Sequence, residues 1–102
     1  MEKRINMKEF FQSEFLISST KGDKLLPFLV KEIEAGNKLI LDFKDVKSTI
    51  TAFFFSGYGP LFKDYDSEFV KKVIKFENEN EGTKQQIETV QELSIIYYKE
   101  NK

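Results

Sequence analysis

Five side chains able to take part in chemistry fall within one short stretch: Asp42, Asp45, Ser48, Thr49 and Thr51. Asp42 and Asp45 flank the exit of a strongly apolar run, Leu39-Ile40-Leu41. Open α/β sheets place ligands in the crevice at such strand ends. A metal or phosphoacceptor site needs several converging oxygens, and two acids without a third do not supply them. The simpler role for Asp45 is to accept backbone N–H bonds within a solvated turn. The three hydroxyls precede a predicted helix and suit two tasks. Each can cap its first turn, or accept a phosphate of about −1.5 to −2 charges that the exposed N–H groups and helix dipole would favour. Ser48, Thr49 and Thr51 are therefore candidate phosphorylation sites, and Asp42, Lys44, Asp45, Ser48 and Thr51 a candidate partner-binding turn.

Much other chemistry is excluded by composition. The chain has 102 residues with no Cys and no His. Disulfides, thiolate nucleophiles, cysteine-ligated metals and triads built on His or Cys are thus impossible. The segment Ser18 to Asp23 contains Gly22 but lacks the spacing of a phosphate-cradling loop, and Gly57-x-Gly59 is too little for a dinucleotide fingerprint. No enzymatic activity, cofactor or metal is expected. Sixteen basic residues against seventeen acidic leave a net charge of −1, which gives no global attraction to phosphate backbones. Lys71, Lys72 and Lys75 beside Phe69 and Phe76 form a local basic patch, but acids follow immediately and a solvated face is the expectation. No window approaches the ~20 apolar residues that span a bilayer. A soluble, cytoplasmic protein that binds neither nucleic acid nor membrane is the resulting expectation.

The elements that position the turn can be read in order. Arg4 to Phe11 partly alternates and suggests an edge strand, with Gln12 and Ser13 turning into a second strand, Glu14 to Ile17, as a hairpin. Ser18 to Asp23 reads as a polar loop whose hydroxyls or Asp23 can cap the helix that follows, with apolar positions Leu26, Leu29, Val30 and Ile33. Pro27 fits that helix if it lies near the first turn, and Gly36 supplies a left-handed stop. Leu39 to Phe43 is apolar on both faces until Asp42, as in a covered central strand. The next helix, Ile50 to about Phe62, carries Phe53-Phe54-Phe55, Gly57 and Gly59, with close backbone packing expected at the glycines and an interruption at Pro60. Val70 to Phe76 suggests a strand, and Thr83 to the end a helix bearing Ile87, Val90, Leu93 and Tyr97. The order predicts one α/β domain over residues 1–102, a mixed β-sheet flanked by helices.

The stretch Leu39 to Phe62, LILDFKDVKSTITAFFFSGYGPLF, resembles the STAS-like domain family related to anti-sigma-factor antagonists. The resemblance rests on Leu41-Asp42-Phe43, Val46, Ile50-Thr51-Ala52-Phe53 and Gly59-x-Leu61, with Gly22 and Phe76-Glu77-Asn78 in the flanks. It implies a non-enzymatic regulatory module that binds a histidine-kinase-like ATPase or serine/threonine kinase. In those antagonists a serine at the start of the corresponding helix is phosphorylated and partner binding weakens. Here Ile50-Thr51-Ala52 stands where the pattern has an acid followed by two serines, so the switch survives if Thr51 takes the acceptor position and is lost if Ala52 does. Two other readings stand beside this one. One is a small-molecule or nucleotide-binding α/β domain using Asp42 and Ser18 to Gly22; the other is an oligomeric scaffold assembled through the phenylalanine-rich helix. Abundant Lys, Asn, Glu and Ile suggest a bacterial source.

Overall fold

A computed structural model describes residues 1–100, with the side chain of Glu100 left aside. Three strands, β1 (Glu2–Asn6), β3 (Lys38–Asp42) and β5 (Ile74–Glu77), form a parallel sheet in the order β1-β3-β5. The remaining two, β2 (Phe15–Leu16) and β4 (Ser48–Thr49), pair in a separate short parallel sheet. The helices are α1 (Met7–Phe11), α2 (Ser19–Glu34), α3 (Thr51–Gly57), α4 (Leu61–Asp64), α5 (Ser67–Val73) and α6 (Glu81–Glu100). The α/β class follows as expected from the sequence, with β3 central. Its Leu39 and Leu41 are buried and Ile40 half-buried, because neighbours cover both faces.

The expected hairpin does not form. β1 ends at Asn6, whose side chain accepts from Glu9 N at 2.9 Å and caps α1. Gln12 then turns the chain in the left-handed region, φ 52°. β1 pairs with β3 and β2 with β4, so the first two strands lie in different sheets. Parallel pairing needs long crossovers, and α2 provides one of them. Ser18 to Asp23 is likewise no loop. Ser18 caps α2 by accepting from Lys21 N at 3.2 Å, and helix begins at Ser19. Pro27 consequently sits about two turns inside α2 rather than in its first turn. Its missing N–H would have bonded the carbonyl of Asp23, an exposed residue that water can serve.

The end of α2 follows the sequence closely. Gly36 adopts φ 83°, its N–H donates to Ile33 O at 2.9 Å, and Asn37 N–H donates to Glu32 O at 3.0 Å. These two bonds are the paired closure that a left-handed glycine permits. Gly57 also behaves as expected. A Cβ there would lie 3.1 Å from the Gly22 Cα, and a Cβ on Gly22 would collide with Ser56 Oγ and the Phe53 carbonyl. The backbones of α2 and α3 therefore cross in direct contact through a glycine pair. Pro60 ends that run: α3 stops at Gly57 and α4 begins at Leu61.

Val70 to Phe76 is mostly helical instead of a strand. Asp66 accepts from Glu68 N at 3.1 Å to start α5, and only the residues from Ile74 onward enter the sheet. Val70 and Val73 are buried from the helix, Ile74 from the strand. The long final helix forms as expected as far as Glu100, residues 101–102 lying outside the described residues, and is started by Asn80, which accepts from Thr83 N at 2.8 Å. The core lies between the sheet and α2, α3, α4 and α6, with Phe43, Phe53, Phe54 and Tyr58 its largest fully buried side chains. Tyr58 reaches Gln91 Oε1 at 2.8 Å with its hydroxyl, and burial raises its pKa well above the ordinary phenol. Among the described residues no helix is long and apolar enough to cross a membrane.

Candidate functional site

Asp42 ends β3 with its carboxylate fully engaged. Oδ1 accepts from Lys44 N at 2.9 Å and Asn78 Nδ2 at 2.8 Å, while Oδ2 accepts from Arg4 Nη1 at 3.1 Å. Arg4 extends its other nitrogen to Glu77 Oε1 at 2.6 Å. Asn78 can reach Asp42 because it turns sharply at φ 60°, a conformation that asparagine tolerates better than most residues. The hydrogen bond from Asn78, then that from Lys44 N and the pairing with Arg4, outweigh desolvation and hold the Asp42 carboxyl below the usual carboxylate range. This group ties the carboxyl ends of β3 and β5 to Arg4, the middle residue of β1. Both of its oxygens accept from donors of the chain itself. Among the described residues no cluster of three or more acids stands ready for a metal ion.

Beyond Asp42 the chain makes a tight turn. Phe43 drops into the core, Val46 N donates back to Phe43 O at 3.0 Å, and Asp45 sits exposed at φ 64°. Lys44 is exposed beside it. Lys47 N and Ser48 N then both donate to Glu14 O, at 2.8 and 3.4 Å, and lead the chain into β4. The Lys47 ammonium also pairs with Glu14 at 3.1 Å and, as the main cause, lowers its pKa.

Pairing of Phe15 with Ser48 and Leu16 with Thr49 decides which hydroxyl faces where. Successive residues of a strand point to opposite faces. Leu16 and Thr49 face inward and are buried, Thr49 being 6% exposed. Phe15 and Ile17, exposed by about half, face out together with Ser48 and Ile50. None of the three candidate hydroxyls caps α3, contrary to the sequence expectation. Its N-cap is Ile50, which has no side chain able to accept a bond.

Thr49 instead meets α6. Its Oγ1 lies 2.7 Å from Gln86 Oε1 and 2.8 Å from Thr83 Oγ1, and Gln86 Nε2 donates to Thr49 O at 3.0 Å. The amide oxygen of Gln86 can only accept, so the one hydroxyl proton of Thr49 goes to it, and Thr83 must donate to Thr49. Every polar atom in this clamp is satisfied. Phosphate at Thr49 therefore requires α6 to leave. Thr51, at the first position of α3, is exposed and two residues away.

The turn thus separates the residues read from the sequence into two groups. Asp42 and Thr49 face inward and hold elements together, whereas Lys44, Asp45 and Thr51 are exposed and Ser48 is half-buried. The outward face of Phe15, Ile17 and Ile50 was not legible beforehand, because a short all-apolar run does not reveal which residues alternate inward. Nor was the pairing of Thr83 and Gln86 with Thr49. Their spacing put them on one helix face, but nothing local showed what that face would meet.

The region between Lys21 and Lys84 contains most of α2, the β3 exit, the turn, the glycine crossing and β5. Comparisons with curated proteins and with solved structures gave no match. A family model does match, over residues 21–84, well over half the chain and including that whole region; it describes a STAS-like domain of unknown function (DUF4325). The chain belongs to this STAS-like family.

Proposed function

We propose that the chain is a non-enzymatic regulatory module that binds a protein partner through the turn from Asp42 to Thr51 and the adjoining outward face of β2 and β4. The partner is an ATPase-type serine/threonine kinase, and Thr51 is the residue it modifies. A STAS-like domain fits a general regulatory role. One observation carries the finer reading: Thr51 is exposed next in sequence to Ile50, on the side where Phe15 and Ile17 are also exposed, while Thr49 is buried in a satisfied clamp. Exposed aromatic and aliphatic side chains grouped on one face are what a protein partner covers. A phosphate of about −1.5 to −2 charges placed among them would oppose that burial.

Incubation with ATP and an ATPase-type kinase of the same source, followed by mass spectrometry of the peptides, tests the assignment. Phosphate on Thr51 and none on Thr49 is expected, with Thr51→Asp and Ile17→Lys each weakening binding at least tenfold. Binding unaffected by Ile17→Lys removes the proposed face. Failure to bind any such ATPase removes the partner, and stoichiometric phosphate on Thr49 reverses the assignment of the two threonines.

A further inference from the structure

The three-stranded sheet ends at β5, whose one neighbour among the described strands is β3. Glu77 O accepts from Phe43 N at 2.9 Å, so the backbone of Glu77 bonds toward β3. Backbone groups of successive strand residues point to opposite sides. The N–H and C=O of Phe76 and the C=O of Ile74 therefore point away from β3, to the open edge, while the Ile74 N–H closes α5 on Val70 O. Such an edge is a template for another extended chain.

α6 begins three residues after β5 and returns beside this edge, where Ile87 lines a groove of about 290 Å³ with Ile74 and Phe76. Ile74 and Ile87 are buried and Phe76 half-buried, so the floor is apolar and one wall is strand backbone. The volume falls just below the ~300–1,000 Å³ of sites that enclose a small molecule. An added strand suits it better: its backbone bonds the edge, and alternate side chains drop onto the floor. Charge narrows the occupant further. Lys71, Lys75 and Lys84 line the groove against Glu79 and Glu88, and none of the five enters an ion pair among the described side chains. Lys71 and Lys75 flank the start of β5, whereas Glu79 lies beyond its end. The excess positive charge thus sits beside the free carbonyl of Ile74, where an acidic residue of the incoming strand is attracted and a basic one repelled.

We propose that the edge of β5 and the adjoining flank of α6 bind an extended segment of a partner protein, alternating acidic and aliphatic residues, which adds as a fourth strand of the sheet. The face on β2 and β4 is not involved, so this site stands or falls independently of the kinase reading.

NMR titration of the full chain with a blocked heptapeptide of alternating glutamate and valine tests it. Binding with a Kd below about 1 mM is expected, with the largest amide shifts at Ile74 to Asn78 and slowed hydrogen exchange of the Phe76 N–H. A lysine–valine counterpart should bind at least threefold more weakly. Lys75→Glu, at an exposed position without an ion pair, should weaken the glutamate peptide at least threefold while circular dichroism stays as in the parent. The glutamate peptide with every backbone amide N-methylated keeps its charges and side chains but cannot extend the sheet, and should not bind. Absence of shifts at Ile74 to Asn78 up to about 5 mM peptide overturns the proposal. So does undiminished binding of the methylated peptide, or equal binding of the lysine one. Protection of the Phe76 N–H that grows with protein concentration alone gives the edge to a second copy and overturns it too.

Discussion

Replacing Thr49 by valine removes one oxygen and almost no volume, which isolates the worth of the clamp between β4 and α6. In the parent, Thr49 donates to Gln86 and accepts from Thr83, both within 2.8 Å. In the variant the Thr83 hydroxyl, 2% exposed, loses its acceptor, and the Gln86 amide oxygen loses its donor. An unsatisfied buried group costs about 1–3 kcal/mol and an ordinary bond contributes about 1 kcal/mol. Gln86 is half-buried and can be partly rehydrated, so the loss should be about 2 kcal/mol, chiefly from Thr83. At roughly 4–8 °C per kcal/mol for a chain near this size, melting should fall by about 10 °C. The midpoint of urea unfolding should move while the slope stays constant. Thr51→Val, on the exposed face, should stay within about 0.5 kcal/mol of the parent. Thr49→Val with Thr83→Val should cost less than the sum of the two single changes, because the pair removes both ends of one bond. Equal effects of Thr49→Val and Thr51→Val would falsify the inward placement of Thr49, and with it the distinction between the two threonines.

Two further outcomes follow from the fold. Gly22→Ala should destabilise by about 3 kcal/mol or more, at or beyond the upper end for overpacking, because one of the groups it meets is the backbone carbonyl of Phe53. Gly82→Ala, whose Cβ would meet only Asn80 Oδ1 at 3.5 Å, should be neutral or slightly stabilising, and thermal unfolding of both variants checks the contrast. The Asp42 carboxyl has a folded-state pKa below its ordinary value, so its contribution is fully present above about pH 4 and is lost as pH falls through the folded value. Glu32, held down first by Lys3, and Glu14, held down first by Lys47, act in the same direction. Asp42→Asn should flatten the fall in stability between about pH 4 and 2, since the amide keeps an acceptor for Lys44 N and Asn78 but turns a donor toward Arg4. Urea titrations across that range measure it, and an unchanged acid slope would refute the role given to Asp42.

What local pattern could show, it showed at Gly36, Pro60 and the apolar run of β3, where one residue's backbone preference or a two-faced strand leaves few choices. The segment from Val70 to Phe76 shows the opposite case. Val70, Ile74 and Phe76 suit a strand, yet Val70 and Ile74 also lie four apart as on a helix, and Asp66 supplied the cap that settled the competition in favour of α5. The hydroxyl cap expected before α2 forms at Ser18, but the loop expected to run on to Asp23 does not, for a related reason. Ser-Ser-Thr-Lys-Gly reads as a loop until Gly22 is seen to be required inside the helix for contact with α3.

The sequence by itself determined the α/β class, the STAS-like resemblance later matched by the family model, and the absence of any chemistry that needs His or Cys. Those depend on composition and on patterns a few residues long. Only the tertiary structure decided that β1 pairs with β3 and β2 with β4, and therefore that Thr49 faces α6 while Thr51 faces out. Partners of Leu16 and Thr49 lie more than thirty residues apart, and one step of register reverses every side chain between core and surface. No local preference encodes that step; it is set where burying Leu16, satisfying Thr49 and seating α6 are met together.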